Sequence, residues 1–322
     1  MKPTSIIFLI ISAVIIVIGL VVCNIGTRKA KDMDIELFET DVQTSGDNQI
    51  RTYDFTDDEI TRLKITAGEA DVYLYPAEGS TSYVELVNFQ VGEYTLSVEN
   101  HILIVNNKSS LMSVLDIAEG NFSFNGLRHY LTYTSGLNSG EKRINVYLSR
   151  DLSPKIFNVT VDEGNIVAEK LYFPSDYHLE TKKGNIELSH IATSSLLDLI
   201  VSEKGDVSLG RSRVQNLKIT VAEGNVTGIL CSDDYRNTSS VTVGLGNVEL
   251  ETDFSLNMIS QHYQVTSDGS VVVEGDKRGK TYEQAGVEEG ELSVQVESGN
   301  IEVKPTEVNS PSDDTGESDT AQ

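Results

Sequence analysis

A short phrase returns about every 20 residues in this chain, the mark of stacked supersecondary units. It reads EGNIVAEK at Glu163, KGNIELSH at Lys183, KGDVSLGR at Lys204, EGNVTGIL at Glu223, LGNVELET at Leu245, DGSVVVEG at Asp268 and SGNIEVKP at Ser298. Its glycines are Gly164, Gly184, Gly205, Gly224, Gly246, Gly269 and Gly299, spaced by 20, 21, 19, 22, 23 and 30 residues. The longest step holds a weaker version, EGELSV, around Gly290.

Aligned on the glycine, the next residue is Asn165, Asn185, Asp206, Asn225, Asn247, Ser270 or Asn300. The one after it is Ile166, Ile186, Val207, Val226, Val248, Val271 or Ile301, β-branched in every copy. Upstream, Val159 and Val161, Ile219 and Val221, Val241 and Val243, and Val294 and Val296 alternate with polar residues. Period-2 alternation on both sides of a Gly-Asn turn means strand, turn, strand, with the apolar residues on one side. A single unit cannot bury that side, but stacked neighbours make a continuous core. The expected fold is therefore all-β: a parallel β-solenoid of roughly 20-residue coils. The repeated asparagines are expected to tolerate a left-handed turn and to form a side-chain hydrogen-bond ladder.

Charges before the glycine are consistent with parallel stacking. Coil on coil, Asp162 would meet Lys182, Lys182 would meet Glu203, Glu163 would meet Lys183, and Lys204 would meet Glu223; Lys183 beside Lys204 is the one unfavourable pair. Val201 sits one place off the alternation, so an extra residue is expected before Gly205. The region from Leu63 to Leu148 is noisier, with degenerate copies at Thr66 to Val72 and Ala118 to Phe122.

The ends differ in character. Residues Ile6 to Ile25 carry no charge and are rich in Ile, Val and Leu. Twenty such residues in a helix span roughly 30 Å, the thickness of a bilayer core. The expected division is a transmembrane anchor at 1–26, a polar stalk and cap at 27–60, the repeat domain at 61–304 and a disordered acidic tail at 305–322. By charge count, Arg28, Lys29 and Lys31 would hold the domain in the cytoplasm, although the rule weakens before a long domain. The expectation adopted is a single-pass protein of the cell membrane with its large domain outside the cytoplasm.

The run Ile144-Asn145-Val146-Tyr147-Leu148, followed by Phe157-Asn158-Val159-Thr160-Val161-Asp162-Glu163-Gly164-Asn165-Ile166, resembles a widespread bacterial family of candidate adhesins of unknown function. In that family a Y-L-P-like phrase precedes G-[DN]-[IV] repeats; here Ser149 stands where Pro is usual. The resemblance covers roughly residues 60 to 304. It implies a β-solenoid, often behind an N-terminal membrane helix in Gram-positive bacteria, and some relatives accompany envelope-stress regulators. The family has no established catalytic residues to carry over.

Chemistry is hard to find in the sequence. His101, His129, His178, His190 and His262 fall at no metal-ligand spacing, and no phosphate loop or nucleophile elbow is present. Asp233-Asp234 and Asp162-Glu163 are acidic pairs better read as solvated turns. Cys231 reads as a small buried hydrophobe. With 49 acidic against 25 basic residues, the net charge of -24 repels nucleic acid. No catalytic residue, cofactor or metal is expected. The expected role is a membrane-anchored interaction or structural module of the cell envelope, contacting a protein or cell-wall partner or copies of itself. The alternatives are an accessory or sensor of an envelope-stress response, and a polysaccharide-active β-helix enzyme.

Overall fold

The computed structural model describes residues 39–45, 48–55, 60–89, 93–107, 140–152, 154–231 and 238–306. The expected membrane helix at 6–25, Asp233-Asp234, the copy at Ala118 to Phe122 and the tail beyond Thr306 lie outside them. Among the described residues, no helix is long and apolar enough to cross a membrane.

The described residues form an all-β fold built on one mixed sheet. In each central repeat a leading strand runs into the glycine turn and a trailing strand leaves it. Asp176–Lys183 and Ile186–Ser189 are one such pair. Trailing strands pair in parallel and in register: Val72 with Ile166, Ile166 with Ile186, Ile186 with Val207, Val207 with Val226, and Val226 with Val248. Leading strands do the same through Val159, Leu179, Leu199, Ile219 and Val241. Every residue in these two rows is at most 1% exposed. Each buried Ile or Val contributes about 1.5–3 kcal/mol, offset by the entropy of ordering the chain.

A slip by one residue would turn every apolar side chain outward, so the burial pattern enforces the register. Thr181 occupies a place filled by Val161 and Val201 in its neighbours, and its hydroxyl is satisfied by donating to the Gly164 carbonyl at 2.9 Å. The extra residue before Gly205 is a β-bulge. Thr181 faces Val201, but Lys183 faces Lys204, one residue further along.

Two expectations are corrected. First, the sheet is not parallel throughout residues 61–304. Ser82–Val87 runs antiparallel to both Asn48–Phe55 and Arg143–Leu148, and Thr95–Glu99 runs antiparallel to Ile102–Asn106. Later in the chain, Asp276–Gly279 and Thr281–Gln284 return antiparallel on Val271–Val273 and Ser260–Val265. Residues 39–45 and 48–55, expected within the stalk and cap, form two antiparallel strands.

Second, copies do not stack in sequence order. Val248 pairs with Ile301, and Ile301 pairs with Val271, so the last copy lies between the two before it. Likewise Arg62–Glu69 lies between Ile102–Asn106 and Ile156–Glu163. At the C-terminal end the chain lays down the outer layer first, turns back through a hairpin and fills the gap; at the N-terminal end the middle strand is laid down first and the later strands add on either side of it. Gly290 is then no turn glycine: it precedes the leading strand Glu291–Ser298, and its carbonyl accepts from Ser260 N.

Candidate functional site

The turn edge is built from the glycines upward. Gly184, with φ +143°, and Gly205, with φ +152°, show what the position requires. A Cβ on Gly184 would strike the carbonyl oxygen of Gly164, and one on Gly205 that of Gly184. The same collision repeats down the column Gly164, Gly184, Gly205, Gly224, Gly246, Gly299 and Gly269, with Ala70 beneath Gly164. Glycine is needed both for the backbone angle and for the close approach of the next layer.

The residue after the glycine carries a ladder. Asp71 Oδ1 accepts from Asn165 N at 2.7 Å, Asn165 Oδ1 from Asn185 N at 2.9 Å, and Asn185 Oδ1 from Asp206 N at 2.9 Å. Asp206 Oδ1 then accepts from Asn225 N at 2.7 Å, Asn225 Oδ1 from Asn247 N at 3.0 Å, and Asn247 Oδ1 from Asn300 N at 2.9 Å. Asn300 Oδ1 accepts from Ser270 N at 3.1 Å. The expected side-chain ladder is present in its later steps, where Asn225 Nδ2 donates to Asp206 Oδ1 at 3.2 Å, Asn247 Nδ2 to Asn225 Oδ1 at 3.3 Å and Asn300 Nδ2 to Asn247 Oδ1 at 3.3 Å, but the shorter bond of every step is backbone to side chain. The asparagines also do not take the left-handed conformation, because the preceding glycines absorb the positive φ.

Charges beside the ladder are spent on structure. Lys182 lies 2.7 Å from Asp162, Lys183 2.8 Å from Glu163, and Lys204 2.6 Å from Glu223. Glu163 and Glu223 each hold the facing ammonium above the usual lysine range by accepting its hydrogen bond. The bulge redirects Glu203 from Lys182 to Lys183, at 3.9 Å. Lys183 and Lys204 are in register, yet each turns to a carboxylate on its other side. A double-mutant cycle on Lys183→Ala and Glu163→Ala should therefore give a small favourable coupling that shrinks as salt is raised. No coupling at low salt would contradict the parallel pairing.

Among the described residues, groups with catalytic chemistry do not converge. His178 Nδ1 lies 3.1 Å from Asp198 Oδ2, and Lys218 Nζ lies 3.5 Å from Asp198 Oδ1. Sequence reasoning missed this pairing, which arises because the three residues are in register on adjacent leading strands. The residue on the other side of His178 is Asn158, so the row offers the imidazole no nucleophile. Cys231 is buried, and burial together with Asp253 pushes its thiol up to about 11, which keeps it protonated at neutral pH. Among the described residues, no three His, Cys, Asp or Glu side chains are placed to hold a metal ion.

A different surface gathers aromatic side chains. Tyr83, Tyr147 and Tyr75 are in register across Ser82–Val87, Arg143–Leu148 and Asp71–Pro76. Tyr83 and Tyr147 stack with centroids 4.4 Å apart, and Tyr75 lies 5.7 Å from Tyr147. Tyr73 stacks on Tyr75 at 5.9 Å. All four are half-buried on the outer side of the sheet. Beside them, Asn145 Nδ2 donates to Glu85 Oε2 at 3.1 Å. Desolvation and then Glu85 push the Tyr147 phenol up to about 12. Only the alternation of Tyr73 and Tyr75 was visible in the sequence; the pairing of distant strands brings in the other two.

No protein-family model matches the chain, and no curated protein matches its sequence. Solved structures similar to it include a candidate cell adhesion protein from Clostridium sporogenes, at 12% identity over 82% of this chain and 100% of that one, with a TM-score of 0.34. A candidate adhesin from Bacteroides fragilis has 10% identity over 80% and 96%, with a TM-score of 0.35. A candidate lipid-binding protein from Parabacteroides distasonis has 13% identity over 81% and 97%, with a TM-score of 0.28. TM-scores this low carry neither fold nor function from those proteins to this chain.

Proposed function

We propose that this chain is a non-catalytic interaction module of the bacterial cell envelope: a β-solenoid tethered by one membrane helix at residues 6–25 and displayed outside the cytoplasmic membrane. Its partner is a protein or a cell-wall component, with self-association as a further mode. The observation that carries this reading is the unbroken hydrogen-bond ladder from Asp71 to Ser270, which makes the repeats one continuous scaffold. Such a scaffold suits presentation of a surface, and its polar groups are consumed in holding layers together. The apolar run at 6–25 and the repeat phrase shared with bacterial adhesin candidates support the tether and the setting.

The test is protease treatment of intact, wall-stripped cells. Cleavage after Pro305 before lysis is the expected result. Full protection until the cells are lysed would place the domain inside and end the envelope-display reading. Turnover of pectin, glucan or peptidoglycan by the purified protein, lost on Asp233→Ala with Asp234→Ala, would replace the module by an enzyme.

A further inference from the structure

The tyrosine surface has a chemistry that the scaffold does not need. The row reads Asp54, Tyr83, Tyr147 and Tyr75 across four adjacent strands. Strand spacing of about 4.8 Å makes it roughly 14 Å long. Tyr147 has Tyr83 on one side and Tyr75 on the other, so its ring is not an open platform for a sugar. What the row offers outward is ring edges and phenol oxygens, which accept hydrogen bonds.

Carboxylates surround these oxygens. Asp54 and Glu78 are exposed and form no ion pair among the described residues; Glu85 lies beside Tyr147. Asp54, Glu78 and Glu85 each raise the Tyr83 phenol, after desolvation. Arg143 is the cation that acts back on Tyr73 and Tyr75. Glu169, a carboxylate that raises the Tyr75 phenol, is already paired with Lys170 at 2.6 Å. The surface is therefore aromatic, rich in acceptors and negative, on a chain of net charge -24. Such a surface excludes phosphate-bearing and other anionic polymers.

We propose that this row docks a segment of a partner polypeptide rich in arginine and lysine. Guanidinium groups donate in a planar fork that matches carboxylates such as Glu85 and Asp54, and their remaining N–H groups can be accepted by the phenol oxygens along the row. In an extended peptide, side chains on one side recur every ~7 Å, so about three basic residues span the row. This inference rests on the interaction-module reading, but it is read on purified protein, whereas display and lack of turnover are read on cells and on polysaccharides. Either can fail alone.

The experiment uses the full-length protein and a fluorescein-labelled hexa-arginine peptide, with binding followed by fluorescence polarisation. Saturable binding that weakens with salt is expected, and Tyr147→Ala and Glu85→Gln should each weaken it about tenfold. Tyr83→Phe keeps the ring stack and should weaken binding by a smaller factor, which guards against a folding defect in Tyr147→Ala. Glu249→Gln removes the same charge far along the sheet and should leave affinity unchanged. Absence of binding, or equal loss in Glu249→Gln, would overturn the proposal by showing no site or only diffuse attraction. A glucosamine hexamer that binds as tightly and loses affinity in Tyr147→Ala would also overturn it, by making the ligand an amino sugar.

Discussion

Ile186→Asp should abolish cooperative folding of the central repeats, while Ile186→Val should leave the protein close to wild type. Ile186 is fully buried, with Ile166 on one side and Val207 on the other in the same parallel row. An ionised carboxylate there has no cation and no donor within the row. Burying it costs several kcal/mol, a large part of the roughly 5–15 kcal/mol that holds a domain together. Protonating the carboxyl lowers the cost but leaves a polar group without a partner. Loss of one methylene in Ile186→Val costs about 0.5–1.5 kcal/mol, and Val207 shows that valine fits the row. Thermal melting followed by circular dichroism reads both variants. An Ile186→Asp melt within a degree or two of wild type would mean that the side chain is not in the core.

The second large effect is expected at Gly205. Gly205→Ala places a side chain at φ +152°, where L residues are strained, and drives its Cβ into the carbonyl oxygen of Gly184. The strain alone costs about 1–3 kcal/mol. The collision adds to it, because the two layers are held at hydrogen-bond distance and cannot separate locally: Gly184 N donates to Lys204 O at 3.0 Å, and Asp206 N to Asn185 Oδ1 at 2.9 Å. The total should reach ~3 kcal/mol or more, a fall of roughly 6–12 °C in melting temperature for a domain of this size. Gly79→Ala is the control, since nothing lies within 4 Å of a Cβ at that position and its φ is not in the left-handed range. Equal melting of Gly205→Ala and Gly79→Ala would refute the close approach of layers.

The central layers were legible because their information is local. A β-branched residue two places after glycine, with alternation on both sides, determines which side of each strand is buried. Ile166, Ile186, Val207, Val226, Val248, Val271 and Ile301 are all at most 1% exposed. Charge pairs such as Glu163 with Lys183 followed from the same register, and so did the irregularity that proved to be the bulge near Gly205. The first layer was half legible: Ala70-Asp71-Val72 stands where Gly-Asn-Ile would, and Asp71 opens the ladder at Asn165.

Which layer lies on which was not legible in the sequence. Every copy presents nearly the same apolar edge, so the copies at Gly269 and Gly299 compete for the place beside Gly246 with no local signal between them. The outcome, Val248 on Ile301 and Ile301 on Val271, is accompanied by a hairpin through Asp276–Gly279 and Thr281–Gln284 that carries the chain back. The tyrosine row has the same origin. Tyr147 is far in sequence from Tyr75 and Tyr83, and the three form a row only because Ser82–Val87 and Asp71–Pro76 flank Arg143–Leu148 from opposite sides, one antiparallel and one parallel. Strand alternation specifies the side on which a residue points, whereas strand order depends on pairings between segments far apart in the chain, which no short stretch of sequence encodes.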